Sequence, residues 1–259
     1  MSYASRYVPL SSTARPAALQ WFDTTEQRTE AWFARRSGKL SGSKLSQLMF
    51  CKSAEELAAY REEVFGLRPR PPLSPTALSR CKWGTDHEPD SIASAIEALP
   101  GLVVYECGFE VHQTQPWLGS SPDGVVAWPS KLGDDAYAVL ECKCSCKKNK
   151  EGTKTVPHAS VPYYYVPQIL NEMRAMRMNA ALFVSWGQTG THCWWVAFDE
   201  DMWVKTYELM TDFVLGDMPF ELYEKRAKAY AMDARRFAAA AERLHPKGGF
   251  PSVQGAQLP

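Results

Sequence analysis

The sequence has no long hydrophobic run and no excess of charge of either sign. Without a stretch of about 18 apolar residues, no membrane-spanning helix is expected. The opening MSYASRYVPL has neither the basic nor the long apolar segment of a secretory leader, so we expect none. The 29 basic and 29 acidic residues balance, so the usual positive footprint of nucleic-acid binding is missing. Because 45% of the 259 residues are apolar, the chain can still build a real core.

The motifs of two common enzyme classes are also absent. The five histidines show no H-x(3)-H or similar spacing, which does not support a zinc enzyme. No Gly-rich phosphate loop occurs, so we expect no ATP use by this chain.

The seven cysteines are an odd number, and three of them cluster. Cys142, Cys144 and Cys146 are predicted at alternate positions of one strand, with Cα atoms about 6.5–7 Å apart. This spacing is at the far edge of disulfide reach. We therefore expect reduced thiols in a cytoplasmic compartment that pack as small core residues. Metal binding by three thiols is the alternative.

Positive charge is concentrated locally although the net charge is zero. Arg35, Arg36, Lys39 and Lys44 form one cluster. A second cluster contains Lys143, Lys147, Lys148, Lys150 and Lys154. A neutral protein can present one positive groove in this way, whereas the alternative is a set of solvated loop side chains.

Local patterns predict helices, then a sheet, then helices. Helices are predicted over 26–38 (capped by Thr24 or Thr25 and ended by Gly38), 41–49, 53–67, 77–99 (interrupted or begun near Gly84), 163–178 and most of 200–244. Strands are predicted over 102–112, 124–128 and 136–146, and a hairpin over 180–199, with a turn at 129–135. This order indicates an α/β fold with helices packed on a central mixed sheet. We expect one domain over 1–245 and a mobile tail over 246–259.

Acidic and basic side chains interrupt the central strands. Asp123 follows a proline in SSPDGVV, and Glu141 and Lys143 lie two positions apart in AVLECKCSC, so both point to one face of their strand. Carboxylates on neighbouring strands can converge on a hard cation such as Mg²⁺, and a nearby lysine suits phosphodiester hydrolysis. The alternative is a surface ion pair on an exposed strand.

Four sequence blocks in a fixed order carry a resemblance. They are WFARRSGKLSGS (32–43), similar to W-x(3)-R-x-G-x-[IL]-[ST]-[AG]-S; WGTDHEPDSI (83–92), similar to W-G-x(3)-E; SSPDG with LECKC; and YYYVPQILNEM (163–173), similar to Y-x(2)-Q. The chain thereby resembles the PD-(D/E)xK nucleases, and within them the lambda-exonuclease and YqaJ-type viral recombinase family. The resemblance implies a restriction-endonuclease-like core with helical N-terminal and C-terminal regions.

The resemblance also implies two sites. The first is a Mg²⁺ centre, in which Mn²⁺ could substitute, with Asp123, Glu141, the main-chain carbonyl of Cys142 and Glu88 as ligands. Lys143 would place the attacking water, and Gln168 would help to hold either that water or the lysine. The second is a pocket for a 5′-terminal phosphate, formed by Arg36, Ser43 and Ser121. Tyr165 matches the family's tyrosine, although core packing explains it equally well.

The activity implied is a 5′-to-3′ exonuclease on linear double-stranded DNA that leaves 3′ single strands for phage-type recombination. Its partners would be DNA with 5′-phosphate ends, a single-strand annealing protein and two further copies in a ring-shaped trimer, in a bacterial host carrying a phage or prophage. The alternatives are an endonuclease of the same fold, a non-catalytic DNA-binding protein, and an iron–sulfur nuclease that uses the clustered cysteines.

Overall fold

The computed structural model describes residues 6–133 and 136–245. In this part of the chain, seven strands form a mixed sheet at the centre of the molecule. In spatial order they are β1 (Tyr7–Val8), β3 (Val103–Tyr105), β6 (Gly124–Ala127), β7 (Tyr137–Cys144), β8 (Ala180–Gly187), β9 (Gly190–Ala197) and β10 (Glu242–Leu244). β7 pairs with β8 in parallel, as β1 does with β3, and the other neighbours are antiparallel.

A small second sheet brings distant sequence blocks together. It contains β2 (Leu40–Ser41), β5 (Leu118–Ser120) and β4 (Glu110–Val111) in that order. β2 pairs in parallel with β5, so Ser41 lies opposite Gly119. The first block of the sequence is thereby placed beside the turn that carries Asp123.

Helices cover both faces of the large sheet. They are α1 (Glu30–Arg36), α2 (Gly42–Leu45), α3 (Ala54–Val64), α4 (Pro75–Ala98), α5 (Pro129–Leu132), α6 (Val166–Ala175), α7 (Glu200–Leu215) and α8 (Phe220–Ala239). One apolar core packs Ile169 of α6 and Phe213 of α7 against Val139. The other packs Ile96 of α4 against Leu140. The prediction of an α/β fold with a central mixed sheet flanked by helices is confirmed.

Helix α1 begins later than predicted. Its N-cap is Thr29, whose hydroxyl accepts from the Trp32 backbone N–H at 3.3 Å. Thr25 does not cap the helix because Arg28, with a φ of 69°, interrupts the helical path between Thr25 and the first turn. Gly38 follows the helix with a φ of 64°, as expected for the residue that ends it.

Helix α4 is continuous, so the predicted interruption near Gly84 is wrong. It begins after Ser74, whose hydroxyl accepts from the Ala77 N–H at 3.2 Å, and it passes through both Gly84 and Pro89. Its second half is buried against the sheet. Tertiary packing therefore overrides the weak local propensity of these two residues.

The predicted strand over 102–112 is in fact two strands in different sheets. β3 and β4 are separated at Gly108, where an added Cβ would lie 2.7 Å from the Asp23 carbonyl oxygen. The chain must therefore leave the large sheet where the Asp23 segment approaches it. β7 ends at Cys144, so the prediction that Cys146 continues the strand is wrong.

Other differences are confined to short elements. The predicted turn at 129–135 begins with α5, and the end of the last predicted helix forms the edge strand β10. The hairpin, α6 and α3 with its Ser53 cap are confirmed. The domain assignment over 1–245 stays a prediction, and the tail 246–259 lies outside the described residues.

None of the helices in the described ranges is long and apolar enough to cross a membrane.

Candidate active site

Asp123 lies in the turn between β5 and β6, where its carboxylate is fixed by the adjacent strand. Its Oδ2 accepts a hydrogen bond from the Cys142 backbone N–H at 2.7 Å. Burial, and after it the negative charges of Glu141 and Glu88, raises the pKa of Asp123 well above its ordinary value. A nearby cation would stabilise the ionised form of this carboxyl group.

Glu141 and Lys143 contact each other on one face of β7, as their spacing predicts. Lys143 Nζ donates to Glu141 Oε1. The side chain of Glu141 is 1% exposed and that of Lys143 is 23% exposed, so the predicted alternative of a surface pair is wrong. Burial alone would lower the pKa of Lys143, but Glu141 and Asp123 outweigh it and raise the pKa above its ordinary value. Without a bound metal ion, Lys143 is therefore a cation.

Gln168 links Glu141 to a second buried carboxylate. Its Nε2 donates to Glu141 Oε1 at 2.5 Å and to Glu172 Oε1 at 2.8 Å. Both amide hydrogens are therefore directed at carboxylates, and the amide oxygen is directed away from them. Glu172 is 1% exposed, and burial followed by the charge of Glu141 raises its pKa well above the ordinary value.

Gly42 makes room for this arrangement. A Cβ at position 42 would lie 2.9 Å from Gln168 Cγ and 3.0 Å from Glu172 Oε1. The first sequence block therefore shapes the same site as the fourth. Sequence reasoning missed Glu172, although a carboxylate four residues after Gln168, on the same helix face, was a usable signal.

Glu88 reaches the site from α4. Its Oε2 is 2.6 Å from Arg28 Nη2, and its side chain is 25% exposed. It raises the pKa of Asp123, which places it within electrostatic range of the other carboxylates. Arg28 was not predicted to take part, and nothing in the sequence pattern indicated it.

Two cavities meet at these residues. A small one of about 170 Å³ contains Glu141, Gln168 and Glu172 in its lining. A larger cleft of about 860 Å³ contains Glu88 in its lining. Both are also lined by Arg28, Arg36, Ser43, Asp123 and Lys143. The shared residues mark a boundary at which a chain-like ligand could pass from the cleft into the cavity.

The donor set suits a hard divalent cation. Glu141 Oε2 is buried without a hydrogen-bond partner in the described part of the chain, and so is Glu172 Oε2. In the described ranges, no group of three or more His, Cys, Asp or Glu side chains has the geometry to hold a metal ion. Mg²⁺ needs few protein ligands because it keeps several waters. Asp123 and Glu141 therefore fit it as a pair, and the Cys142 carbonyl stays a prediction.

Arg36 is held in place by its neighbours in the first block. Its Nε donates to Ser41 Oγ at 3.1 Å, its Nη2 donates to Ser43 Oγ, and its guanidinium lies 4.8 Å from the centroid of the Trp32 ring. Burial, and then the charges of Arg36 and Arg70, lowers the pKa of Lys44 to about 8. This repulsion shows that the surroundings of Arg36 are electropositive, which suits an anion.

Ser121 is near Arg36 but is engaged otherwise. Its hydroxyl donates to the Gly108 carbonyl at 3.1 Å and accepts from Trp32 Nε1 at 3.1 Å. In this state its one hydroxyl hydrogen is used to hold the Trp32 segment. Arg36 and Ser43 have free access to the small cavity through side chains that are at least partly exposed.

Tyr165 lines the cleft beside Lys143, and Tyr164 lines the cleft too. Lys143 Nζ lies 5.0 Å from the ring centroid of Tyr165, and this ring also packs 5.9 Å from that of Phe183. Tyr165 therefore has one contact with the site and one with the core, as the two interpretations of it require.

All seven cysteines are free thiols, and Cys142 is buried in the core on the α4 side.

The comparisons with known proteins agree with this geometry. A family model described as YqaJ-like viral recombinase domain matches residues 31–179. No curated protein matches the sequence. The structure of an alkaline exonuclease from Laribacter hongkongensis matches with a TM-score of 0.51 and 22% identity, over 81% of this chain and all of that one. The structure of LHK-Exo in complex with dAMP matches with a TM-score of 0.51 and 23% identity, over the same shares. At such identities the likeness is one of fold.

Proposed function

Since the chain belongs to the YqaJ-like viral recombinase family, a group of lambda-exonuclease-type nucleases, we propose that it is a Mg²⁺-dependent 5′-to-3′ exonuclease on linear double-stranded DNA. The observation that carries the proposal is the convergence of Asp123, Glu141 and Lys143 where the small cavity meets the cleft. The product would be 3′ single-stranded DNA for recombination.

The charges around the cleft support a nucleic-acid substrate. Basic side chains in its lining outnumber acidic ones, although the whole chain is neutral. The basic ones are Arg28, Arg36, Arg80, Lys143 and Lys147, and the acidic ones are Glu88 and Asp123. A groove of this kind attracts a phosphate backbone.

The carboxylates have a role of their own. Asp123 and Glu141, with Glu88 beyond them, would hold the cation, and Mn²⁺ could replace it. When bound, Mg²⁺ supplies positive charge beside the phosphodiester and favours an ionised water. Asp123 would be kept in place for this role by the Cys142 N–H.

Lys143 and Gln168 would act on the reacting groups. As a cation, Lys143 stabilises the negative charge that develops on the phosphate oxygens. The oxygen of the Gln168 amide, directed away from Glu141 and Glu172, accepts a hydrogen bond from the attacking water. The proton of that water leaves to solvent.

Arg36 and Ser43 would bind the 5′-terminal phosphate in the small cavity. Arginine presents a planar fork that matches phosphate, and the electropositive surroundings of Arg36 favour an anion there. Ser121 would contribute by holding Trp32 beneath the guanidinium. An end anchored in this way sets the polarity of digestion.

The first test is digestion of DNA by the purified full chain with Mg²⁺. The substrates are linear duplexes with and without 5′-phosphate and a closed circular duplex. We expect loss of the linear DNA from its 5′ ends, a preference for 5′-phosphate and no cutting of the circle. Cutting of the circle would establish the endonuclease instead, and failure to cut any DNA would favour the non-catalytic binding protein.

The second test addresses the phosphate pocket. Arg36→Ala should remove the preference for a 5′-phosphate, because a charge-assisted contact is lost, while Arg226→Ala is the control. Arg226 forms an ion pair with Asp212 at 2.6 Å on another surface. An Arg36→Ala protein with an unchanged preference would refute the pocket.

Assembly as a trimer and cooperation with a strand-annealing protein are also proposed, on the family resemblance alone. Light scattering during gel filtration should give three times the chain mass. A monomer at working concentration would remove the trimer without affecting the proposed chemistry.

A further inference from the structure

Arg28 has a backbone conformation that a residue with a side chain rarely adopts. Its φ is 69°, in the left-handed region. The neighbouring segment imposes this conformation: Gln27 Nε2 donates to the carbonyls of Cys107 at 3.0 Å and of Pro122 at 2.9 Å, and Thr29 Oγ1 donates to the Glu26 carbonyl at 2.7 Å. Strain retained beside a site is a reason to look for a function.

The conformation directs the Arg28 side chain to the boundary between the small cavity and the cleft. It lines both of them, together with Asp123 and Lys143. Its side chain is 50% exposed. Within the described part of the chain, the contact with Glu88 is the one hydrogen bond that the guanidinium makes. Most of its donors therefore face the boundary region and its solvent.

The ion pair with Glu88 does not account for the strain. A pair between partly exposed side chains contributes little to stability, less than a left-handed arginine costs. Glycine would adopt the conformation without cost. The strain at Arg28 is therefore a reason to look for a further binding partner of its side chain.

We propose that Arg28 binds a backbone phosphate of the DNA strand at this boundary and exchanges Glu88 for it. The inference rests on the proposed function and deepens it. Arg36 would bind the terminal phosphate in the small cavity, and Arg28 would bind a phosphate nearer to the cleft. Release of Glu88 would leave its carboxylate available to the cation beside Asp123.

The test compares two arginines with the same backbone strain. Arg177 also has a positive φ, of 54°, but it stacks on Trp21 and lines a separate apolar cavity. Arg28→Gly and Arg177→Gly both relieve the strain, so neither should lower the melting temperature by more than the lost side-chain contact. Arg28→Lys retains the charge and keeps the test informative if either glycine variant is unstable.

The binding of a short fluorescein-labelled DNA duplex with 5′-phosphates is measured by fluorescence anisotropy. The buffer contains Ca²⁺ instead of Mg²⁺. The DNA is recovered afterwards to establish that it is uncut. Arg28→Gly should weaken binding about tenfold or more, the loss of one charge-assisted contact. It should also make the dependence of log affinity on log salt concentration less steep, by about one unit of slope, as expected when one phosphate contact is lost. Arg28→Lys should keep most of the slope, and Arg177→Gly should match the wild type in both.

Wild-type affinity and slope in Arg28→Gly would overturn the inference and leave Arg28 as a partner of Glu88 only. In that case the nuclease proposal would stand, since the wild-type protein binds DNA. A wild-type protein that binds no DNA would overturn both proposals together.

Discussion

Strand β7 has opposite chemistry on its two faces. On the α6 side, Val139 belongs to the core, and the next residues on that face, Glu141 and Lys143, belong to the candidate site. On the α4 side, Leu140 and Cys142 are both core residues. One face changes from apolar to charged along the strand, and the other stays apolar. The site therefore forms where a single face of the core opens, and the opposite face holds the strand in place.

The largest effect should come from removal of the cation on the charged face. Lys143→Ala should lower the turnover of linear duplex DNA by about 10²–10³-fold, the usual cost of losing one preorganised charge donor. Initial rates with Mg²⁺ measure it. Lys205→Ala removes a lysine that forms an ion pair with Asp233 at 2.6 Å, away from both cavities, and is the matched control that should retain wild-type turnover. Wild-type turnover by Lys143→Ala would sink the mechanism.

A smaller effect is expected at Glu172, which is linked to Glu141 through Gln168. Glu172→Ala should lower activity or Mg²⁺ affinity by about 10–100-fold, because the Gln168 amide loses one of its two acceptors. Glu172→Gln should retain more activity, since its amide oxygen can still accept that hydrogen bond. Steady-state rates over a Mg²⁺ titration separate the two variants. Equal losses in both would instead indicate that the charge itself matters.

The charged face should also make the effect of Mg²⁺ depend on pH. Because the pKa of Asp123 is raised, the metal-free fold retains a proton on this carboxyl group up to a higher pH than the unfolded chain does. Raising the pH through this pKa removes the proton and destabilises the metal-free protein. The rise in melting temperature on adding Mg²⁺ should therefore become larger as the pH is raised. A rise that is independent of pH would argue against Asp123 as a ligand.

The smallest effect on activity should come from the apolar face. Cys142→Ala removes a buried sulfur and should cost about 1 kcal/mol of unfolding free energy, yet leave turnover unchanged. Denaturant unfolding and rate measurements check the two parts. A loss of activity without a loss of stability would reopen the interpretation in which the cysteines bind a metal or an iron–sulfur cluster.

The charged face was largely predictable from the sequence, because side-chain alternation alone places Glu141 and Lys143 together. The Asp123 turn and the Gln168 helix required the ordered family blocks. The continuity of α4 was not predictable, since Gly84 and Pro89 favour a break and only burial of the second half against the sheet overrides them. The Thr29 cap was not predictable because Thr25 has the same side chain, and the left-handed Arg28 that separates the two threonines is not visible in the sequence.

Two features of the site depend on backbone geometry that no pattern shows. The left-handed φ of Arg28 arises from hydrogen bonds between its segment and the Pro122 carbonyl, which are far apart in sequence. The burial of Glu172 arises from the close approach of α2 to α6 at Gly42. Both features arise from contacts between residues that are far apart in the sequence, whereas sequence patterns mainly indicate contacts between near neighbours.

The tight fit at Gly42 has a consequence for how this sequence can vary over time. A methyl group at position 42 would press on Gln168 Cγ and Glu172 Oε1, so the three positions cannot change independently. The family pattern allows alanine at this position, and a chain that carries it must shorten or shift one of the two helix side chains. The first and fourth sequence blocks should therefore show coupled substitutions, and a single Gly42→Ala change should be tolerated better beside Glu172→Ala than beside the native glutamate.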